Sequence, residues 1–300
     1  MPEHPPPATK IPYTETHISP YCQSRRRDRE HPGMPKPNRQ NTRQIAVVAT
    51  FAVVYFLFRM IPTFSMIGVS GGTFSLADVI APLYGMILGP YAGAISVTLG
   101  TVLAIAFGRP MIFLGLDFLP GAVDALIVGL LMRRKRLIAA TLYLIFFIGF
   151  LANPYTAIFV PVSVPFLNLY GFCFYAWLHL VALIVLISPL SKKAADWVDG
   201  ASLINLAPGV LILVLIGTMT QHLVGGILYE VVLGMFVGKA PEVFRLLWYA
   251  VFWVYPFERG FLIALSTVIG VPLVKALKSS GFLPGSSSQK NVKESHATGS

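Results

Sequence analysis

The run from Leu203 to Phe236 is predominantly apolar and carries a single charge, Glu230. Roughly 20 residues of helix cross a hydrocarbon core, so a stretch of this kind reads as a membrane span. Phe166 to Ile187 is a second such run. Only 12% of the 300 residues are charged and the mean hydropathy is +0.69. Ordinary globular domains carry about 25% charged residues. Lipid is therefore the expected solvent for much of the chain, and helices satisfy their own backbone groups there. A β-barrel would show alternating strands of about ten residues, and these runs are continuously apolar.

Residues 1–43 hold many of the prolines and the basic run Arg25, Arg26, Arg27 and Arg29, with almost no aliphatic clusters. They read as a disordered cytoplasmic tail, since nothing in them offsets the entropy of ordering. The first apolar run begins near Gln44, too late for a cleaved signal peptide. Residues 279–300, rich in Ser, Gly and Lys, read as a second disordered tail. Between the tails, residues 44–278 form one transmembrane domain with eight apolar segments, at 44–62, 77–88, 90–108, 118–132, 137–153, 166–188, 205–236 and 256–275. Gly89-Pro90 separates the second from the third, because proline removes a helix hydrogen bond and clashes with the preceding turn. Val243 to Tyr255 is aromatic and is expected at the membrane interface or partway in.

With that break in place, all but five of the 23 Lys and Arg fall on one side, in the two tails, at Arg133 to Arg136 and at Lys192-Lys193. Arg59, Arg109, Lys239, Arg245 and Arg259 fall on or near the other. This is the positive-inside asymmetry, and it places both termini in the cytoplasm. The expected fold is an all-α, polytopic membrane helical bundle of six to eight transmembrane helices. The net charge of +10 is explained by this topology, and no nucleic-acid partner is expected, since the basic residues carry no base-reading motif. Cys22 and Cys173 provide neither a disulfide framework nor a metal spacing.

Ala92, Ser96, Gly100 and Ala104 line one helix face with small side chains, a seam for internal packing. Gly85, Gly89 and Gly93 repeat the spacing across the break. On the side away from the basic loops lie Asp78, Arg109, Asp117, Asp124, Glu230, Glu258 and Arg259. Ionisable groups in a membrane are costly and normally face the bundle interior or a wet cavity, so the cluster points to a polar cavity at that end. Asp78, Asp117 and Arg109 fit the headgroup zone equally well, and Glu258 with Arg259 fits a structural ion pair. His179 and His222 fall near mid-membrane, where an imidazole hydrogen-bonded between helices is expected. Asn153 and Asn168 bracket a proline-rich loop as helix caps or ligand contacts. No HExxH, paired acidic motif or Walker A loop is present, and Gly68-Val69-Ser70-Gly71-Gly72 matches GxSxG only within a glycine-rich loop, so no catalytic role, metal or cofactor is expected.

The residues Phe74-Ser75-Leu76-Ala77-Asp78 with Pro82, Gly85, Gly89-Pro90 and Gly93, then Leu119-Pro120-Gly121 with Asp124 and Gly129, then Pro256-Phe257-Glu258-Arg259-Gly260 leading to Leu273, Lys275 and Lys278, resemble the substrate-binding S components of energy-coupling factor transporters. The likeness covers about residues 44–275. It implies a plasma-membrane subunit that captures a vitamin or related micronutrient from outside. Such a subunit delivers its cargo by toppling against a transmembrane coupling subunit driven by two ATPase subunits. The loop from Pro62 to Ala77, with Gly68, Gly71 and Gly72, fits that family's mobile lid. The family typically has six helices, so a pair around 137–188 is additional. Its Ala-xxx-Ala docking motif is matched only loosely, by Ala46, Ala49 and Thr50 with Ala52 nearby.

Substrate contacts are accordingly expected at Asp117, Asp124, Glu230, Glu258, Arg259, Arg109, Asn153 and Asn168. Tyr155, Phe166, Tyr170 and Trp253 are available for stacking on a ring. Two rivals stand beside this reading. One is a stand-alone secondary transporter with a coupled proton at Asp124, Glu230 or His222. The other is an intramembrane enzyme acting on a lipid or isoprenoid.

Overall fold

The computed structural model describes residues 39–164, 169–200 and 202–280. The chain divides into Met1–Gln44, of which only the start of a helix is described, and Ile45–Ser300, which carries everything below. Its elements are α1 (Arg39–Arg59), β1 (Pro62–Ser65), β2 (Thr73–Ser75), α2 (Ala77–Leu88), α3 (Pro90–Ala106), α4 (Leu119–Met132), α5 (Arg136–Leu151), β3 (Phe159–Val164), β4 (Leu169–Phe174), α6 (Trp177–Ile187), α7 (Pro189–Asp199), α8 (Leu203–Tyr229, prolonged by π-helical turns over Glu230–Phe236) and α9 (Pro241–Ser279). Among the described residues the fold is all-α apart from two short antiparallel hairpins, β1–β2 and β3–β4.

Among the described residues, α1, α8 with its π extension, and α9 are long and apolar enough to cross a membrane; the bent pair α6–α7 adds a fourth if counted as one span. Their outward faces carry large apolar side chains such as Leu57, Leu211, Phe257 and Val268, as a bundle solvated by lipid requires. This is a membrane protein.

The helices run alternately between two ends. At one end Gly89 meets the Arg133 guanidinium, Arg136 donates to the carbonyls of Ile187 and Ser188, Arg134 pairs with Asp196 and Asp199, and Lys278 reaches the carbonyls of Val198 and Gly200. Arg133 to Arg136, Lys192 and Lys278 gather there, whereas Arg109 and Lys239 lie at the other end. At the other end, the last residue of α1, the starts of α2 and α4, the residues after α3 and the upper turns of α8 and α9 enclose a cavity.

Small residues set how closely these helices approach. A Cβ on Gly85 would stand 2.2 Å from the Ala125 carbonyl oxygen, and one on Gly129 would stand 2.3 Å from the Pro90 nitrogen. Thus α2, the Gly89-Pro90 turn and α4 touch backbone to backbone. The seam on α3 packs inward against α1: Ser96 donates to the Val48 carbonyl at 3.2 Å, and Gly100 lies against the Ala52 carbonyl. Gly89, at φ +83°, makes the turn into α3 in a conformation that other residues rarely adopt, and Pro90 starts α3 where its missing N–H is not needed.

Four segments differ from expectation. The helix α1 begins at Arg39, inside the stretch read as a tail; residues 1–38 and 281–300 lie outside the described residues. The apolar segment 166–188 is not one helix: β4 pairs with β3 through Tyr170 opposite Ser163 and Phe174 opposite Phe159, and α6 starts only at Trp177. Lys192-Lys193 is no plain loop, since it sits on α7, which Ser188 caps by accepting from the Leu190 N–H, and which buries Ser191, Ala194, Ala195 and Val198. Val243–Tyr255, read as separate from the last helix, is the first half of α9, which starts at Pro241 and runs on through Pro256. Phe244, Trp248, Phe252 and Tyr255 recur at helical spacing and are all buried, and that buried stripe outweighs the backbone bond lost at Pro256.

Candidate functional site

The cavity encloses about 110 Å³ and is open at its mouth. The β1–β2 hairpin and its loop border it. That loop is fastened rather than loose: the Tyr229 hydroxyl donates to the Ile67 carbonyl at 2.8 Å and Lys239 to the Gly68 carbonyl at 3.1 Å.

Asp78 anchors the polar wall. One carboxylate oxygen accepts from the Ser75 N–H at 2.9 Å, closing the first turn of α2. The other accepts from the Gln221 amide at 2.7 Å and lies 3.5 Å from the Arg59 guanidinium. Arg59 also donates to the Ser75 hydroxyl and, at 3.4 Å, to the Asp117 carbonyl. Arg109 clasps β2 with bonds of 2.8–3.1 Å to the Thr73 hydroxyl and the carbonyls of Thr73 and Phe74. Burial and then the neighbouring Arg59 charge pull the Arg109 pKa below the usual guanidinium value.

Across the cavity Arg259 is almost fully buried, pairs with Glu258 and lies over the Phe74 ring, 5.2 Å from its centroid. His222 joins the wall from α8, with its Nδ1 2.8 Å from Nε2 of His179 on α6. The two imidazoles stack, and Tyr255 continues the stack on His222. The hydrogen bond expected between helices is thus present, and it is built into the cavity wall.

The expected contact residues divide. Arg109, Asp117, Glu258 and Arg259 border the cavity. Asp117, however, spends both oxygens on the N–H groups of Ile112 and Phe113 at 2.9 and 3.1 Å, so it shapes the loop before α4. Asp117→Ala is expected to lower stability by about 2 kcal/mol, as for lost hydrogen bonds to a charged group, measured by thermal unfolding in detergent. Asp124 and Glu230 do not border the cavity. Asp124 is buried between α4 and α8, where a Cβ on Gly217 would stand 2.1 Å from its Oδ1, and neither of its oxygens has a partner. Glu230 begins the π turns behind Trp248; its Oε1 accepts from the Thr156 hydroxyl at 2.6 Å and its Oε2 has no partner. Asn153 accepts from the Tyr155 N–H and closes a local turn. Asn168 and Phe166 lie outside the described residues. Tyr155 packs on Phe244, while Tyr170 and Trp253 are exposed. The cavity aromatics are instead Phe74, Phe113, Tyr229 and Trp248.

Arg59 and Gln221 were not among the expected contacts. Both carried a signal: Arg59 ends an otherwise apolar run, and Gln221-His222 is a polar pair inside another. Comparison with family models, curated proteins and solved structures finds no match to this chain.

Proposed function

We propose that this chain is the substrate-capturing membrane subunit of an ATP-driven importer of the energy-coupling factor type, taking up a small vitamin-like molecule. The observation that supports it most is the cavity at the end opposite the basic loops, polar at Asp78, Gln221 and Arg259, aromatic at Phe74 and Trp248, and bordered by the β1–β2 hairpin. By the positive-inside rule the basic end is cytoplasmic and the cavity opens outward, which fits a plasma-membrane protein with both termini inside. A transmembrane coupling subunit and two ATPase subunits would complete the transporter. Ala46, Ala49 and Thr50 are exposed on α1 and offer small side chains for docking on the coupling subunit.

One observation favours a proton-coupled transporter as the second reading: Asp124 is wholly buried with both oxygens unpaired. Buried carboxylates of this kind mark proton relays in membrane proteins. The two readings separate in one experiment. Affinity-tagged chain isolated from its own membranes is expected to bring down a membrane subunit and ATPases, and uptake is expected to cease when the ATPase sites are disabled. Uptake that survives this loss and collapses with the proton gradient would establish the second reading.

A further inference from the structure

The polar wall contains two side chains whose hydrogen-bonding sense is fixed from behind. Gln221 gives its NH2 group to Asp78 Oδ1, which also faces the Arg59 guanidinium, so the amide is held in this sense and its Oε1 is left as an acceptor. That Oε1 is buried and has no partner. The next residue, His222, shares one proton with His179 across the 2.8 Å contact. If His222 supplied it, a neutral His179 would carry an N–H on its buried, partnerless Nδ1. Orphaned buried N–H groups are rarer than orphaned acceptors. His179 Nε2 is therefore the donor and His222 Nδ1 the acceptor, and the His222 proton sits on Nε2. Two adjacent residues of α8 thus supply an acceptor and a donor to the same wall.

The charges of that wall are largely paired among themselves. Arg59 lies against Asp78, Arg259 pairs with Glu258, Asp117 is closed on backbone N–H groups, and Arg109 on carbonyls. Arg59 Nε and Arg259 Nε remain as further unpartnered donors. Beyond the two ion pairs, a ligand charge meets only Arg109 and Asp117, each already held by its own hydrogen bonds to the surrounding loops, whereas a carbonyl has several donors.

We infer that Gln221 and His222, held in one hydrogen-bonding sense by Asp78 and His179, recognise an uncharged planar heterocycle through a cyclic amide or ureide edge. The ligand N–H gives to Gln221 Oε1, and the adjacent carbonyl accepts from His222 Nε2. Phe74, Phe113 and Trp248 supply aromatic surface for the ring. Asp78 and His179 are positioning residues in this arrangement. The inference rests on the proposed capture of a small molecule in this cavity.

The test uses the purified full chain in detergent. Calorimetric titration compares quinazolin-4(3H)-one with its 3-methyl derivative, which loses the N–H, and with the anion quinoline-4-carboxylate. The 3-methyl compound is expected to bind at least tenfold more weakly and the anion more weakly still, with Gln221→Met removing the preference for the free N–H. Nitrogen-15 NMR of labelled histidine, assigned with His222→Asn, is expected to show His222 protonated at Nε2 and bare at Nδ1. Equal binding of the methylated compound, preference for the anion, no binding by any member of the set, or the opposite tautomer would each overturn the inference. Uptake that needs no ATPase would instead overturn the importer reading and leave the recognition edge standing, because the titration involves the chain alone.

Discussion

Gly129→Ala is expected to destabilise the purified protein by about 3 kcal/mol, near the upper end for an overpacked contact. The new methyl would stand 2.3 Å from the Pro90 nitrogen and 2.5 Å from its Cα. Both obstructing atoms are backbone, so no rotamer change relieves the clash and α4 must move off the α2–α3 turn. The loss of apparent melting temperature in mild detergent measures it. Gly149→Ala is the control: its Cβ would meet only Ile227 Cδ1 at 3.7 Å, an ordinary contact, and alanine gains about 1 kcal/mol of helix propensity over glycine.

Arg259→Met is expected to cost about 3–5 kcal/mol, the usual consequence of leaving one member of a buried ion pair without the other. Glu258 would keep its carboxylate in the wall with no cation beside it, and Phe74 would lose the guanidinium over its ring. Arg259→Met combined with Glu258→Gln is expected to recover much of that stability, because the abandoned charge is removed as well. Ligand binding is not expected to return, since the double variant still lacks the guanidinium donors. Unfolding and binding measured on the same preparations separate the two effects.

Much of the bundle is legible from one-dimensional pattern. The Gly89-Pro90 break, the helices from 44 to 151 and the gathering of Arg133 to Arg136 with Lys192 at one end follow from apolar run length, proline chemistry and charge asymmetry. What escapes is decided by contacts across the sequence. In β3 the exposed Phe159 and Pro161 flank the buried Val160, a strand-like alternation, yet every residue from Ile158 to Val162 is apolar or proline, so polarity does not mark it. Pro256 resembles a helix start until the buried stripe from Phe244 to Tyr255 is laid on a helix. At the site, charge drew attention to Asp124 and Glu230, which the fold turns away from the cavity, while the neutral Gln221 borders it because Asp78 lies opposite. Sequence places a residue at a depth in the membrane; the rotation of its helix decides which way it faces.

The central claim is that the cavity between Asp78, Gln221 and Arg259 captures a small molecule for import. The most direct measurement is to purify the chain from its own membranes in mild detergent, denature it, and identify what is released by mass spectrometry. The account predicts one small heterocyclic molecule per chain, present in the native protein and absent from Gln221→Met protein that still folds. Chain that emerges empty from cells grown with the full range of vitamins, or that releases the same molecule from the Gln221→Met variant in equal amount, would contradict it.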